Sequence, residues 1–153
     1  MGTTTVADGS VGQRVVDFGT THIGMKVGRG ECWDLPAEAL EFAGAKPPPQ
    51  THLYRWGTLI PNLRDAQPGD ILQFERVRIK RNWTLPDGRP AWEEMKFGVH
   101  HSAIVQKVDG ELWFTTLNAH INGSKNVQVL RMNLSPENIK HGNIFLYRPI
   151  PNE

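Results

Sequence analysis

The chain reads as an α+β protein, with N-terminal helices packed on a central antiparallel β-sheet. Two observations predict this. Helix-type apolar spacing is confined to the first third, whereas from Pro68 onward short β-rich runs alternate with turn signals at Pro68-Gly69-Asp70, Pro86-Asp87-Gly88 and Asp109-Gly110. Helices first and strands afterwards place the helices on one face of an antiparallel sheet. No internal repeat and no long linker divides residues 1–153, so a single domain is expected.

The first helix is expected from Ser10 to Ile23, with Ser10 as N-cap and Val11, Val15, Phe18 and Ile23 as an apolar stripe. Gly24 to Gly30 forms a loop. A second helix follows from Cys32 to Phe42, ending at Gly44, with Trp33, Ala37 and Leu40 as core contacts. Pro47-Pro48-Pro49 forbids its continuation, and the stretch 51–67 has no clean period. Strands are then expected over Ile71 to Arg81, Ala91 to Phe97, Val99 to Val108, Glu111 to Asn118, Val127 to Met132 and Ile144 to Arg148.

Composition removes several function classes. With 39% hydrophobic and 22% charged residues the chain is ordinary globular material. A net charge of +1 argues against a dedicated nucleic-acid binder. No apolar run approaches the ~20 residues needed to cross a bilayer. Met1 to Asp8 shows no signal-peptide pattern, and Val6 stands where a myristoylation motif wants Ser or Thr. A soluble protein is expected, cytoplasmic or exported by a non-classical route, and the sequence is silent on oligomeric state.

Cys32 is the one cysteine, so it is a buried filler or a reactive thiol. At a helix start it would face unpaired N–H groups and the positive end of the dipole, which favour thiolate. Glu31 opposes that ionisation and Arg29 offsets Glu31. Pro36 raises a second option, a helix starting nearer Asp34. Downstream, Asp109-Gly110 suits a two-residue type I′ hairpin loop. Counting outward from it, Val105 faces Phe114, Ala103 faces Thr116 and His101 faces Asn118, with Cβ atoms ~5 Å apart. His100 would point to the other face and meet Ala119, which orients nothing.

Cysteine at a helix start, histidine opening a central strand and a polar residue on the next strand together resemble the NlpC-type and CHAP families, small papain-like amidases and peptidases of bacterial cell walls. Gln67 to Phe74 resembles their Pro-Gly-Asp turn and strand. His101-Ser102-Ala103-Ile104-Val105 resembles their His-x-Ala-Ile-Val strand, and Thr116-Leu117-Asn118 the strand that supplies the third polar group. Glu31 and Trp33 depart from the usual flanks of the NlpC cysteine; Cys32-Trp33 is similar to papain instead. The resemblance implies a cysteine hydrolase that cleaves an amide or peptide bond in peptidoglycan or a similar substrate. Cys32 would be its nucleophile, His101 its base and Asn118 the orienting group. It implies no cofactor.

Two further readings accompany this one: the same fold as an inactive binding module, and a transferase or deamidase using the same three residues. The six histidines show no metal-ligand spacing. Arg76, Arg78 and Lys80 alternate with Val77 and Ile79 on one strand face. With Trp83 and Trp92 beyond, that face suits a basic, aromatic-edged groove for an anionic glycan, peptide or nucleic acid; the expected reading is a solvated outer surface, with Trp83 and Trp92 in the core.

Overall fold

The computed structural model describes residues 10–152. The first helix, α1, spans Val11–Thr21, and the Ser10 hydroxyl accepts the Gln13 N–H at 3.0 Å as its N-cap. It stops short of Ile23 because His22 and Ile23 donate to Gly19 and Thr20 carbonyls in a tighter final turn. The second, α2, spans Asp34–Ala43 and closes at Gly44, whose φ of 73° is the left-handed cap a glycine takes freely.

Its start corrects the expected Cys32. Pro36 occupies the third helical position, where a missing N–H leaves no intrahelical bond unmade. The Asp34 carboxylate accepts the N–H groups of Arg29 at 2.8 Å and Glu31 at 3.4 Å, so it caps the approach loop. Cys32 therefore lies in the turn ahead of the helix, not within it.

Among the described residues seven strands form one sheet: β1 (Thr58–Ile60), β2 (Ile71–Thr84), β3 (Pro90–Lys96), β4 (His100–Gly110), β5 (Trp113–Asn118), β6 (Gln128–Asn133) and β7 (Ile139–Arg148). They run antiparallel in the order β1-β7-β2-β4-β5-β6, with β3 also on β2. The mostly antiparallel sheet with the two helices of the described residues fits the α+β class. The aperiodic stretch 51–67 contributes the edge strand β1.

Long β2 serves two partners in turn, β4 along Ile71 to Glu75 and β3 along Arg78 to Thr84. Between them Arg76 takes a φ of 55° at a register shift. The extra residue reverses the strand's parity, so Leu72 and Phe74 share a core cluster with Val77 and Ile79. The sheet is covered on both faces. Val15, Leu35, Leu40 and Trp56 cluster with Ile71, Ile104 and Leu117 on one face. Leu72, Phe74, Val105, Phe114, Met132 and Leu146 cluster on the other.

The Pro-Gly-Asp turn joins these parts. A side chain on Gly69, φ 94°, would collide with the Gly12 backbone of α1. Asp70 accepts the Gln67 N–H at 2.8 Å and the Arg148 guanidinium at 2.9 and 3.1 Å, tying the start of β2 to the end of β7. Burial pushes the Asp70 carboxyl up in pKa despite Arg148, and the guanidinium limits that rise.

The β4–β5 hairpin also departs from expectation. The chain reverses at Glu111-Leu112, with Leu112 at φ 59°, not at Asp109-Gly110. Leu112 is buried in the second core and its carbonyl accepts the Leu134 N–H, which draws the turn forward. Two irregularities then add residues to β4, so Asn118 pairs with Ala103. The net offset from the expected register is even, and His101 stays on the Asn118 face. Trp83 and Trp92, expected in the core, are 37% and 63% exposed on the β2–β3 hairpin.

Candidate active site

Strand β4 supplies two adjacent histidines with opposite surroundings. His101 lies on the second-core face, where its ring stacks on Phe97 at 5.1 Å and tilts against Phe74 at 5.7 Å. It is 3% exposed. Its Nε2 meets Asn118 Oδ1 at 2.8 Å, a diagonal contact across the β4–β5 pair.

A proton chain beyond Asn118 sets the tautomer. The Leu130 carbonyl can only accept, so the Thr116 hydroxyl gives it its proton at 2.9 Å. Thr116 Oγ1 must then accept from Asn118 Nδ2, also at 2.9 Å, which turns Asn118 Oδ1 toward the imidazole. Nε2 therefore carries hydrogen. Nδ1, with no hydrogen-bond partner among the described residues, presents its lone pair. Burial holds the His101 pKa below its ordinary value; the Asn118 bond opposes this and His120 adds to it.

Cys32 comes to the same strand at its edge. Val99 O and Val105 N bond toward β2, so His100 and Ser102 direct their backbone groups to the opposite side. There β5 has already ended at Asn118. The Cys32 thiol donates to the His100 carbonyl at 3.6 Å, and the Ser102 N–H faces the sulfur. The thiol thus docks on the backbone on either side of His101, and it hydrogen-bonds to neither imidazole.

Burial pushes the Cys32 thiol up, and Glu31 adds to the rise. The N–H groups of Ser102, Cys32 and Trp33 work the other way. Arg29, expected to offset Glu31, makes its ion pair with Asp34 at 2.9 Å and feels Glu31 only as a weaker attraction. Glu31 meets His120 and Lys125, each at 3.3 Å.

His100 occupies the other face, and here the structure corrects the expectation that nothing orients it. Its Nδ1 contacts Glu75 Oε1 at 2.7 Å and its ring stacks on Tyr54 at 4.3 Å. Gln73 steadies the carboxylate from beneath through Nε2 at 2.6 Å, while its Oε1 accepts from Trp56 and Ser102. A cavity of about 540 Å³ opens beside them, lined in part by Tyr54, Glu75, Phe145 and Tyr147. Burial raises the Tyr54 phenol, and Glu75 and the ionisable Cys32 nearby add to the rise. Glu75 and Tyr54 were not found from sequence. Glu75 faces His100 across the β2–β4 pair, and no hairpin turn links those strands to set a register.

Among the described residues, two helices, an antiparallel sheet, and a cysteine ahead of a helix meeting a histidine strand define a domain of the cysteine proteinase fold. The chain belongs to the AIM3/BBC1 cysteine proteinase-fold domain family, whose profile matches residues 5–153. This supports the papain-like fold, and it does not assign the chain to the bacterial NlpC or CHAP families. No curated protein and no solved structure matches it significantly.

Proposed function

We propose that the domain is a thiol hydrolase acting on an amide or peptide bond, with Cys32 as nucleophile, His101 as base and Asn118 as the orienting group. The observation that carries this reading is the proton chain from Leu130 O to His101. It leaves an unprotonated Nδ1 on the residue whose two flanking peptide units hold the thiol.

At rest both groups are uncharged, because burial raises the thiol and lowers the imidazole. The thiol proton passes to Nδ1 as sulfur attacks the substrate carbonyl carbon. The Cys32 and Trp33 N–H groups, which have no backbone acceptor among the described residues, are the natural donors to the resulting oxyanion. Nδ1–H then protonates the leaving amine, and water attacks the thioester to regenerate the thiol. The substrate class is a peptide. The expectation of peptidoglycan rested on the NlpC and CHAP resemblance, which the family match supports only at the level of fold.

A second reading, a non-catalytic binding module, is favoured by the raised thiol and by a helix that starts only at Asp34. The macrodipole fades within one turn and gives Cys32 little help. Alkylation by a panel of peptidyl acyloxymethyl ketones separates the two. Hydrolase chemistry requires covalent capture at Cys32 that collapses in His101→Ala. Equal labelling of the wild type and that variant supports the module.

A further inference from the structure

A second cluster lies away from Cys32, on the far half of β2. Arg78 stands opposite Lys96 on β3 and opposite His141 on β7, so three basic side chains form a row across three strands. Like charges directly opposed on a sheet oppose folding. Arg76 and Lys140 join the row around a cleft of about 320 Å³ that no acidic side chain lines among the described residues. Glu94 is the nearby carboxylate, already bound to Arg78 at 2.6 Å. Arg78, Lys96 and Lys80 together hold its pKa below its ordinary value.

Backbone strain falls at the same place. Arg76 holds a φ of 55°, a conformation disfavoured for any residue with a Cβ, and a glycine there would adopt it freely. His141 Nδ1 and the Gly142 backbone pack against the Arg76 carbonyl, fixing the bulge. The Arg76 guanidinium forms no hydrogen bond or ion pair among the described residues. The bulge itself serves the core by bringing in Val77 and Ile79, but the uncommitted guanidinium it presents beside the opposed Arg78 and Lys96 is a local cost that packing does not repay. Strain of this kind is characteristic of binding sites.

We infer that this cleft binds a phosphate-bearing anion, with Arg76 and Lys96 as its principal contacts and Arg78 shared with Glu94. Guanidinium and ammonium donors suit phosphate oxygens, and an anion there removes the repulsion along the row. The ligand is a soluble phosphate compound or a phosphate headgroup, which share this chemistry.

The test titrates the full chain with inorganic pyrophosphate by calorimetry. In parallel it measures co-sedimentation with phosphatidylcholine vesicles, with or without phosphatidic acid. Saturable binding is expected in at least one arm, and the responding arm identifies the source. Lys96→Ala should weaken binding about tenfold, the loss of one charge-assisted contact. Arg76→Gly should weaken it similarly while leaving the melting temperature unchanged or raised, because glycine relieves the strain. Absence of binding in both arms overturns the inference, as does equal binding by wild type and both variants.

Discussion

Two neighbours on one strand, His100 and His101, show how the same side chain is fitted to opposite environments. His101 is buried and held by an uncharged carboxamide, so no buried charge needs compensation. His100 sits at the rim, where solvent tolerates a carboxylate, and Glu75 holds it. The buried partner fixes a tautomer through a chain that ends on a backbone carbonyl. The exposed pair has no such terminus. The comparison teaches that the base of the proposed reaction is set by neutral hydrogen bonds, while the other imidazole is held by a solvated carboxylate and a Tyr54 stack.

The largest effect that sharpens this contrast is on chemistry. Cys32→Ala should abolish covalent capture by a peptidyl electrophile, and His101→Ala should slow it by about 10²–10⁴, the contribution of a general base. His100→Ala should retain most of the rate. A greater loss from His100→Ala than from His101→Ala would reverse the roles of the two faces.

Stability comes next. Asn118→Ala strands His101 Nε2 and removes the donor to Thr116, both at buried sites, and should cost about 1–3 kcal/mol in urea denaturation. Thr116→Val severs the chain one step further out. Nitrogen NMR should then show His101 losing its single Nε2–H tautomer, even in folded protein. A retained single tautomer in that variant would refute the relay.

The pH dependence follows from the lowered His101 value. The unfolded chain takes up a proton near the ordinary imidazole pKa of about 6.5, while the native site resists until lower pH. The unfolded state therefore binds more protons in that window, so this contribution to stability is present above it and is lost as pH falls through it. Denaturation midpoints compared between pH 7 and pH 5 should fall less in His101→Asn than in the wild type. An identical slope in the two proteins counts against the burial argument.

Much of this site was legible in the sequence, but unevenly. Parity and turn chemistry put His101 and Asn118 on one face although the assumed loop was two residues off. The displaced turn and the two bulges left an even offset, which preserves the face and shifts only the partner. Pro36 left the start of α2 open between Cys32 and Asp34; the structure takes the second, and the contact that decides it, the Asp34 carboxylate on the approach loop, depends on how Arg29 and Glu31 fold back. Glu75 and Tyr54 were invisible for a different reason. They reach His100 through pairing and loop packing between segments with no connecting turn, and neither propensity nor periodicity encodes that register.

The smallest effect tests the rim itself. Glu75→Gln keeps the shape and a hydrogen-bond acceptor for His100 Nδ1 while removing the charge, and the Tyr54 stack is untouched. Because both side chains are partly solvated, the change should cost no more than about 1 kcal/mol. Thermal denaturation measured beside Asn118→Ala gives the ratio directly. A cost from Glu75→Gln equal to that of Asn118→Ala would mean that the rim carboxylate is as structurally committed as the buried carboxamide. The distinction between a tautomer-setting face and an adaptable face would then fail, and His100 would have to be treated as a second fixed imidazole of the site.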